Sequence, residues 1–257
     1  MALSQALGAV HEHGGGAPWV MLHGFTQSGA CFDELAAHMG VLGVAPDLPG
    51  HGAATQEGIS FESATHAIAE LLEARGAPLP LLGYSQGGRL ALHVALARPE
   101  LVSRLVIISA APGIPNAEAR AERARLDEER ATGLLESGLE GFLEAWGERA
   151  MFSGLQRRGS LWLERDRERR RSHSAAGLAA ALRGLGLGQQ EDLLPRLGQL
   201  AMPALFIAGV DDPAYMMHAL QMAEAAPQGM PVFLPGVGHA AVGEAPETVS
   251  RVIGQAG

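Results

Sequence analysis

Gly83-Tyr84-Ser85-Gln86-Gly87 follows the apolar run Leu79 to Leu82 and precedes the helix-forming stretch Gly88 to Ala95. This pattern sets a serine on a sharp strand-to-helix turn, between residues small enough to let the two elements approach closely. A hydroxyl held there stands exposed beside a helix N-terminus. Near neutrality it is a poor base and a poor nucleophile, and needs an imidazole neighbour to take its proton. The chain offers ten histidines but a single cysteine, Cys31. The histidines are scattered and Cys31 has no partner at ligand spacing, so the expected chemistry is acid–base work by side chains, with no metal and no cofactor.

Small-x-Ser-x-small strings arise by chance in a chain with 34 glycines, so the surrounding segments carry the argument. Val20-Met21-Leu22 reads as a short buried strand running into the turn His23-Gly24-Phe25. Together with the serine turn, this resembles the α/β-hydrolase fold, whose oxyanion hole uses the amide after the nucleophile and a second amide from such a turn. The resemblance assigns the hole to the backbone N–H groups of Phe25 and Gln86. The fold also orders its triad as serine, acid, histidine. Ala204 to Gly209 reads as a buried strand, and Val210-Asp211-Asp212-Pro213 follows it. Spacing favours Asp212 as the acid, with Asp211 the alternative, and either could cap a helix starting near Pro213. After the last strand signal, Gly236-Val237-Gly238 leads to His239, the histidine with both the right order and the right loop. Asp212 would orient His239, which would take the Ser85 proton. Such proton transfer contributes roughly 100- to 10,000-fold, and one oxyanion donor about 3 to 4 kcal/mol.

These groups need a scaffold, and 257 residues suit one α/β domain with a modest insertion. Strand signals lie at 41–44, 79–82 and 105–108, then again at 204–208 and 230–234. Between the two groups the composition is helical, over 116–130, 133–146, 161–171 and 175–183. The expected architecture is a mostly parallel twisted sheet flanked by helices, formed by residues 1–111 and 199–257. Residues 112–198 would be a helical cap inserted after the sixth strand. Gly14-Gly15-Gly16 reads as a hairpin turn near the start.

Charge narrows the partners. A net charge of −9 argues against nucleic acid. Residues 112–198 hold 14 of the 19 arginines and 14 of the 28 acids, so they are neutral and the rest carries the whole deficit. The chain has no lysine, which excludes Schiff-base chemistry and leaves arginine as the permanent cation for an anionic ligand. No stretch approaches the roughly 20 apolar residues of a membrane helix. One cysteine and an uncharged Met1-Ala2-Leu3-Ser4-Gln5 suggest a cytoplasmic protein, a monomer or weak homo-oligomer.

Arg89 lies four residues after Ser85, on the same helix face and one turn on. The cap adds Glu122-Arg123-Ala124-Arg125 and Arg165-Asp166-Arg167-Glu168-Arg169-Arg170-Arg171. For any one cap arginine, a solvated face laced with ion pairs is the simpler reading. With the arginines, Leu22 to Phe25, Asp47-Leu48-Pro49-Gly50-His51-Gly52, Gly83 to Arg89, Ala111-Pro112-Gly113, Phe142 to Trp146, Phe152-Ser153 and Gly177 to Gly186 with Gln189 resemble the 2-succinyl-6-hydroxy-2,4-cyclohexadiene-1-carboxylate synthase family of menaquinone biosynthesis. That resemblance implies a lyase in which the triad abstracts a ring proton and pyruvate leaves, while arginines hold the substrate carboxylates. Carried over by motif, Arg89 and Arg170 would bind substrate, with Arg123 and Arg125 not separable, and Tyr84 and Trp146 would line the pocket. Gln86, Gly147, Ala150 and Val242 depart from the family pattern, where leucine, tyrosine, proline and histidine are usual. The competing expectation is a carboxylesterase or C–C bond hydrolase with Ser85 as nucleophile.

Overall fold

A computed structural model describes residues 6–54 and 56–255; the leader reading made on Met1 to Gln5 lies outside them. Seven strands form one sheet: β1 Val10–Gly14, β2 Pro18–Leu22, β3 Leu42–Pro46, β4 Leu79–Tyr84, β5 Val102–Ile108, β6 Ala204–Gly209 and β7 Gly229–Leu234. Their order is β1-β3-β2-β4-β5-β6-β7. β1 pairs antiparallel with β3, and every other neighbour is parallel. The helices are α1 Asp33–Met39, α2 Phe61–Ala74, α3 Gln86–Ala97, α4 Ala117–Gly147, α5 Ser160–Arg171, α6 Ala175–Leu185, α7 Pro213–Ala225, α8 Ala241–Glu244 and α9 Pro246–Gln255.

The inner strands β2, β4 and β6 are apolar along their length because both faces are covered, whereas the edge strand β1 carries His11, Glu12 and His13. Alternate residues part to opposite sides, as a pleat requires. Val20, Leu22, Leu81, Leu105, Ile107 and Phe206 pack with α2, α3 and α7. Met21, Leu82, Val106, Ile108, Leu205 and Ile207 pack with α1 and α9 on the other face. β2 lies between β3 and β4, so the chain reverses its direction of travel across the sheet there. The carboxyl ends of β2 and β4 then open a crevice where ligands of such sheets bind.

Residues between β5 and β6 fold as α4, α5, α6 and short 3₁₀ turns. Five strands precede this segment, one fewer than the sequence-based reading counted. The expected break between residues 130 and 133 is also displaced. α4 runs on to Gly138, whose φ of 78° interrupts it, a conformation glycine adopts at little cost. Asn116 caps α4 by accepting from the Ala119 N–H at 2.7 Å. Ala131 and Leu134 of α4 pack on Leu178, Ala179 and Leu182 of α6. The triple glycine does connect β1 to β2, but β3 lies between them in the sheet, so it closes no hairpin. Among the described residues no helix is long and apolar enough to cross a membrane.

Candidate active site

Ser85 occupies the N-cap of α3 with φ 52° and ψ −110°, a strained conformation for a residue with a side chain. The turn closes because Gly87 lacks a side chain, since a Cβ there would lie 2.0 Å from the Leu22 carbonyl oxygen. The strain turns the Ser85 hydroxyl out of the sheet toward the loop after β7. His239 Nε2 lies 3.0 Å from Ser85 Oγ, and His239 Nδ1 donates to Asp212 Oδ2 at 2.7 Å. Both His239 and Asp212 are buried. Asp212 stands at the N-cap position of α7 yet makes no capping bond; its carboxylate serves His239 instead. Asp211 is exposed and its amide binds the Val237 carbonyl at 3.0 Å. Tyr215, one turn into α7, sets its ring edge-on to His239 with centroids 4.4 Å apart.

The oxyanion side is built on the loop after β2. His23 Nδ1 donates to the Gly24 carbonyl at 2.8 Å, and the Gln27 amide donates to the same oxygen at 3.1 Å. A planar trans peptide points its N–H opposite to its carbonyl, so anchoring the Gly24 oxygen aims the Phe25 N–H away from those contacts. Gln86 is the first residue of α3, whose N–H has no acceptor within the helix. Among the described residues neither amide has a protein acceptor, which leaves both for a developing oxyanion. His23 Nε2 accepts from the Leu48 amide at 2.9 Å. Burial lowers His23 to a pKa of about 4, so the imidazole stays neutral and keeps both bonds.

Around Ser85 and His239 a cavity is lined by Phe25, Tyr84, Arg89, Arg123, Arg130, Trp146, Arg149, Phe152 and Tyr215, with Asp127 the sole carboxylate in its wall among the described residues. Arg89 donates from Nη1 to the Leu185 carbonyl at 2.7 Å and lies 5.6 Å from the Phe61 ring centroid. Desolvation lowers its pKa to about 10. Arg123 and Arg130 share buried Asp127, at 2.9 and 2.8 Å. Arg149 lies 4.8 Å from the Trp146 ring centroid, and burial together with Arg130 and Arg123 lowers its pKa. The Trp146 Nε1–H is buried without a partner. Tyr84 is buried, which raises its phenol pKa.

Two arginines expected at the pocket stand elsewhere. Arg125 is exposed and paired with Glu122 and Glu129, because it lies two residues from Arg123 and so on the opposite helix face. Arg170 is buried. It donates to Asp166 at 2.7 Å and to the Thr26 hydroxyl, and it lines a neighbouring cavity of about 370 Å³ that shares the Phe152 wall. Sequence reasoning missed Arg130, Arg149 and Tyr215. For Arg130 a signal existed, since Arg123, Asp127 and Arg130 fall at i, i+4 and i+7 on one helix face. Among the described residues no group of three or more His, Cys, Asp or Glu side chains could hold a metal ion.

Comparison with known proteins accords with this geometry. Residues 18–246 match the alpha/beta hydrolase fold family. The 2-succinyl-6-hydroxy-2,4-cyclohexadiene-1-carboxylate synthase of Escherichia coli O1:K1 / APEC is 33% identical over 229 residues, covering 84% of this chain and 87% of its own. A Bacillus subtilis (strain 168) protein to which that synthase name is provisionally given is 32% identical over 245 residues, covering 92% and 88%. The structure of MenH from S. aureus superposes with a TM-score of 0.87 at 28% identity over 96% of both chains. This chain belongs to the synthase family, within the α/β-hydrolase superfamily. It is an enzyme of that family's lyase class. The fold itself is more widely shared, as a thermophilic esterase from Thermogutta terrifontis superposes with a TM-score of 0.79 at 25% identity, over 96% of this chain and 91% of its own. In this chain α3, α4 and the turn after it contribute four arginines to the wall of the Ser85 cavity.

Proposed function

We propose that this enzyme eliminates pyruvate from 2-succinyl-5-enolpyruvyl-6-hydroxy-3-cyclohexene-1-carboxylate, a step of menaquinone biosynthesis, as a cytoplasmic protein. One observation carries the reading: among the described residues four guanidinium groups and a single carboxylate border the cavity that holds Ser85 and His239. The surplus of three positive charges matches a substrate whose ring, succinyl and enolpyruvyl groups each bear a carboxylate. Fixed guanidiniums bind carboxylates through paired, charge-assisted bonds, and Arg89, Arg123, Arg130 and Arg149 supply them, with Trp146 Nε1–H a further donor.

The substrate is a 3-ene and the product a 2,4-diene, which fixes the electron flow. Ser85 passes its proton to His239 Nε2 and takes the proton from ring C2. The C2–H pair becomes the C2=C3 bond, the C3=C4 pair moves to C4=C5, and the C5–O bond breaks onto the enolpyruvyl oxygen. His239 returns its proton to that oxygen, and the enol becomes pyruvate. Charge that builds on the succinyl carbonyl during C2 deprotonation falls to the Phe25 and Gln86 amides. Asp212 holds His239 in the tautomer that accepts from Ser85 and stabilises its cation. No covalent intermediate forms. Pyruvate release from freshly prepared substrate, corrected for spontaneous breakdown, should far exceed cleavage of a simple nitrophenyl ester. Ester cleavage without pyruvate release would make the enzyme a hydrolase.

A further inference from the structure

We infer that the cap sets the geometry of the oxyanion hole, by holding Thr26 through Arg170 and His173. Thr26 directly follows Phe25, the proposed oxyanion donor, and has a φ of 65°, a backbone conformation that threonine rarely adopts. Each of its polar groups is held. Its amide donates to His51 Nε2 at 3.2 Å, its carbonyl accepts from His173 Nε2 at 3.0 Å, and its hydroxyl accepts from Arg170 Nη1. The last two contacts come from the C-terminal end of α5 and the turn after it, over 140 residues away in sequence.

The arrangement is fixed rather than adaptable. His173 Nδ1 accepts from the Gly52 amide at 2.9 Å, which leaves the proton on Nε2 and aims it at the Thr26 carbonyl. Arg170 is anchored by Asp166 at 2.7 Å, and Asp166 also accepts from Gln27 Nε2 at 3.4 Å. Thr26, Asp166, Arg170 and His173 are all buried. A residue held at positive φ by three separate contacts transmits their loss through Phe25 to the Gly24–Phe25 peptide, which carries the Phe25 N–H. Arg170 is then a positioning residue for the hole instead of a carboxylate ligand, in keeping with its absence from the wall of the Ser85 cavity.

The inference rests on the assignment of Phe25 as oxyanion donor, and its test reads that donor in two independent ways. Arg170→Lys keeps the charge beside Asp166 and drops the second arm to Thr26. His173→Gln keeps a donor and an acceptor, while His173→Leu removes both. For each variant, kcat and KM for pyruvate release are measured beside the second-order rate at which a fluorophosphonate labels Ser85, a reaction that needs the hole but not the tricarboxylate. Arg170→Lys and His173→Leu should lower kcat and labelling about tenfold together, with KM within twofold, and His173→Gln should recover most of both. Unchanged labelling in Arg170→Lys would overturn the inference, as would a raised KM with unchanged kcat, which would make Arg170 a substrate ligand. If His173→Leu does not fold, Arg170→Lys decides the matter. A wild type that releases no pyruvate while labelling still falls in Arg170→Lys would refute the lyase reading and leave the cap's role standing.

Discussion

Replacing Arg89 with lysine tests the anion-binding role without removing charge. The guanidinium now donates once to the Leu185 carbonyl, lies against Phe61, and has no carboxylate partner among the described residues, so its remaining donors are available to a ligand. A hydrogen bond to a charged group contributes about 1.5 to 3 kcal/mol. Losing one arm of a paired contact should therefore lower kcat/KM by about 10- to 150-fold. The environment adds a second signature. Desolvation lowers the Arg89 pKa to about 10, and the same burial would lower that of a lysine by disfavouring its charged form. The variant should lose further activity as pH rises and its ammonium deprotonates, while an arginine stays charged through pH 9. Initial rates of pyruvate release from pH 6.5 to 9 read both effects, with a neutral nitrophenyl ester as a control that should barely change. An Arg89→Lys enzyme within twofold of wild type at pH 7, with the same pH profile, would refute the reasoning.

Asp212→Asn should lower kcat by about 1,000- to 10,000-fold, because an amide favours the wrong His239 tautomer; Asp211→Asn should match wild type, and equal losses would reopen the choice of acid. Arg125→Ala removes only exposed ion pairs and should leave both kcat/KM and melting temperature unchanged, whereas Arg123→Ala should raise KM at least tenfold in the same steady-state assay. His23, lowered by burial to a pKa of about 4, is neutral in the fold while the unfolded chain takes up a proton near pH 6.5. Between those values the unfolded state binds more protons, so stability should fall as pH drops, by about 3 kcal/mol at pH 4 from His23 alone. Denaturant melts from pH 7 to pH 4 measure the slope, and a flat profile would contradict the neutral-imidazole account of the oxyanion loop.

The elbow, the glycine turn after β2 and the loops bearing Asp212 and His239 were legible because each is a local signal: an apolar strand ending in residues that only a tight turn tolerates. Strands β2 to β7 were legible for the same reason, since a covered parallel strand is largely apolar, whereas β1, with His11, Glu12 and His13, carries no such signal. Tertiary choices were not. Gly14 to Gly16 has turn composition, but nothing local says that β3 will insert between the strands it joins. In the cap the helices were evident, yet their rotation was not, so Arg123 and Arg125 looked alike although one borders the cavity and the other meets solvent. Gly138, not the segment near residue 132, interrupts α4, because a glycine at positive φ breaks a helix that composition alone would continue. Arg149 lies in the irregular turn after α4, where no periodicity indicates direction. The position of Arg170 beside a neighbouring cavity was not legible, as its partner Thr26 belongs to a distant loop.

The central claim is that Ser85 and His239, within a cage of arginines, abstract a ring proton so that pyruvate leaves. Its most direct test is pyruvate formation from 2-succinyl-5-enolpyruvyl-6-hydroxy-3-cyclohexene-1-carboxylate at neutral pH, by wild type and Ser85→Ala, each read against the uncatalysed background. The account predicts rapid release by wild type and a loss of at least 100-fold in the variant. Release by Ser85→Ala at the wild-type rate would contradict it.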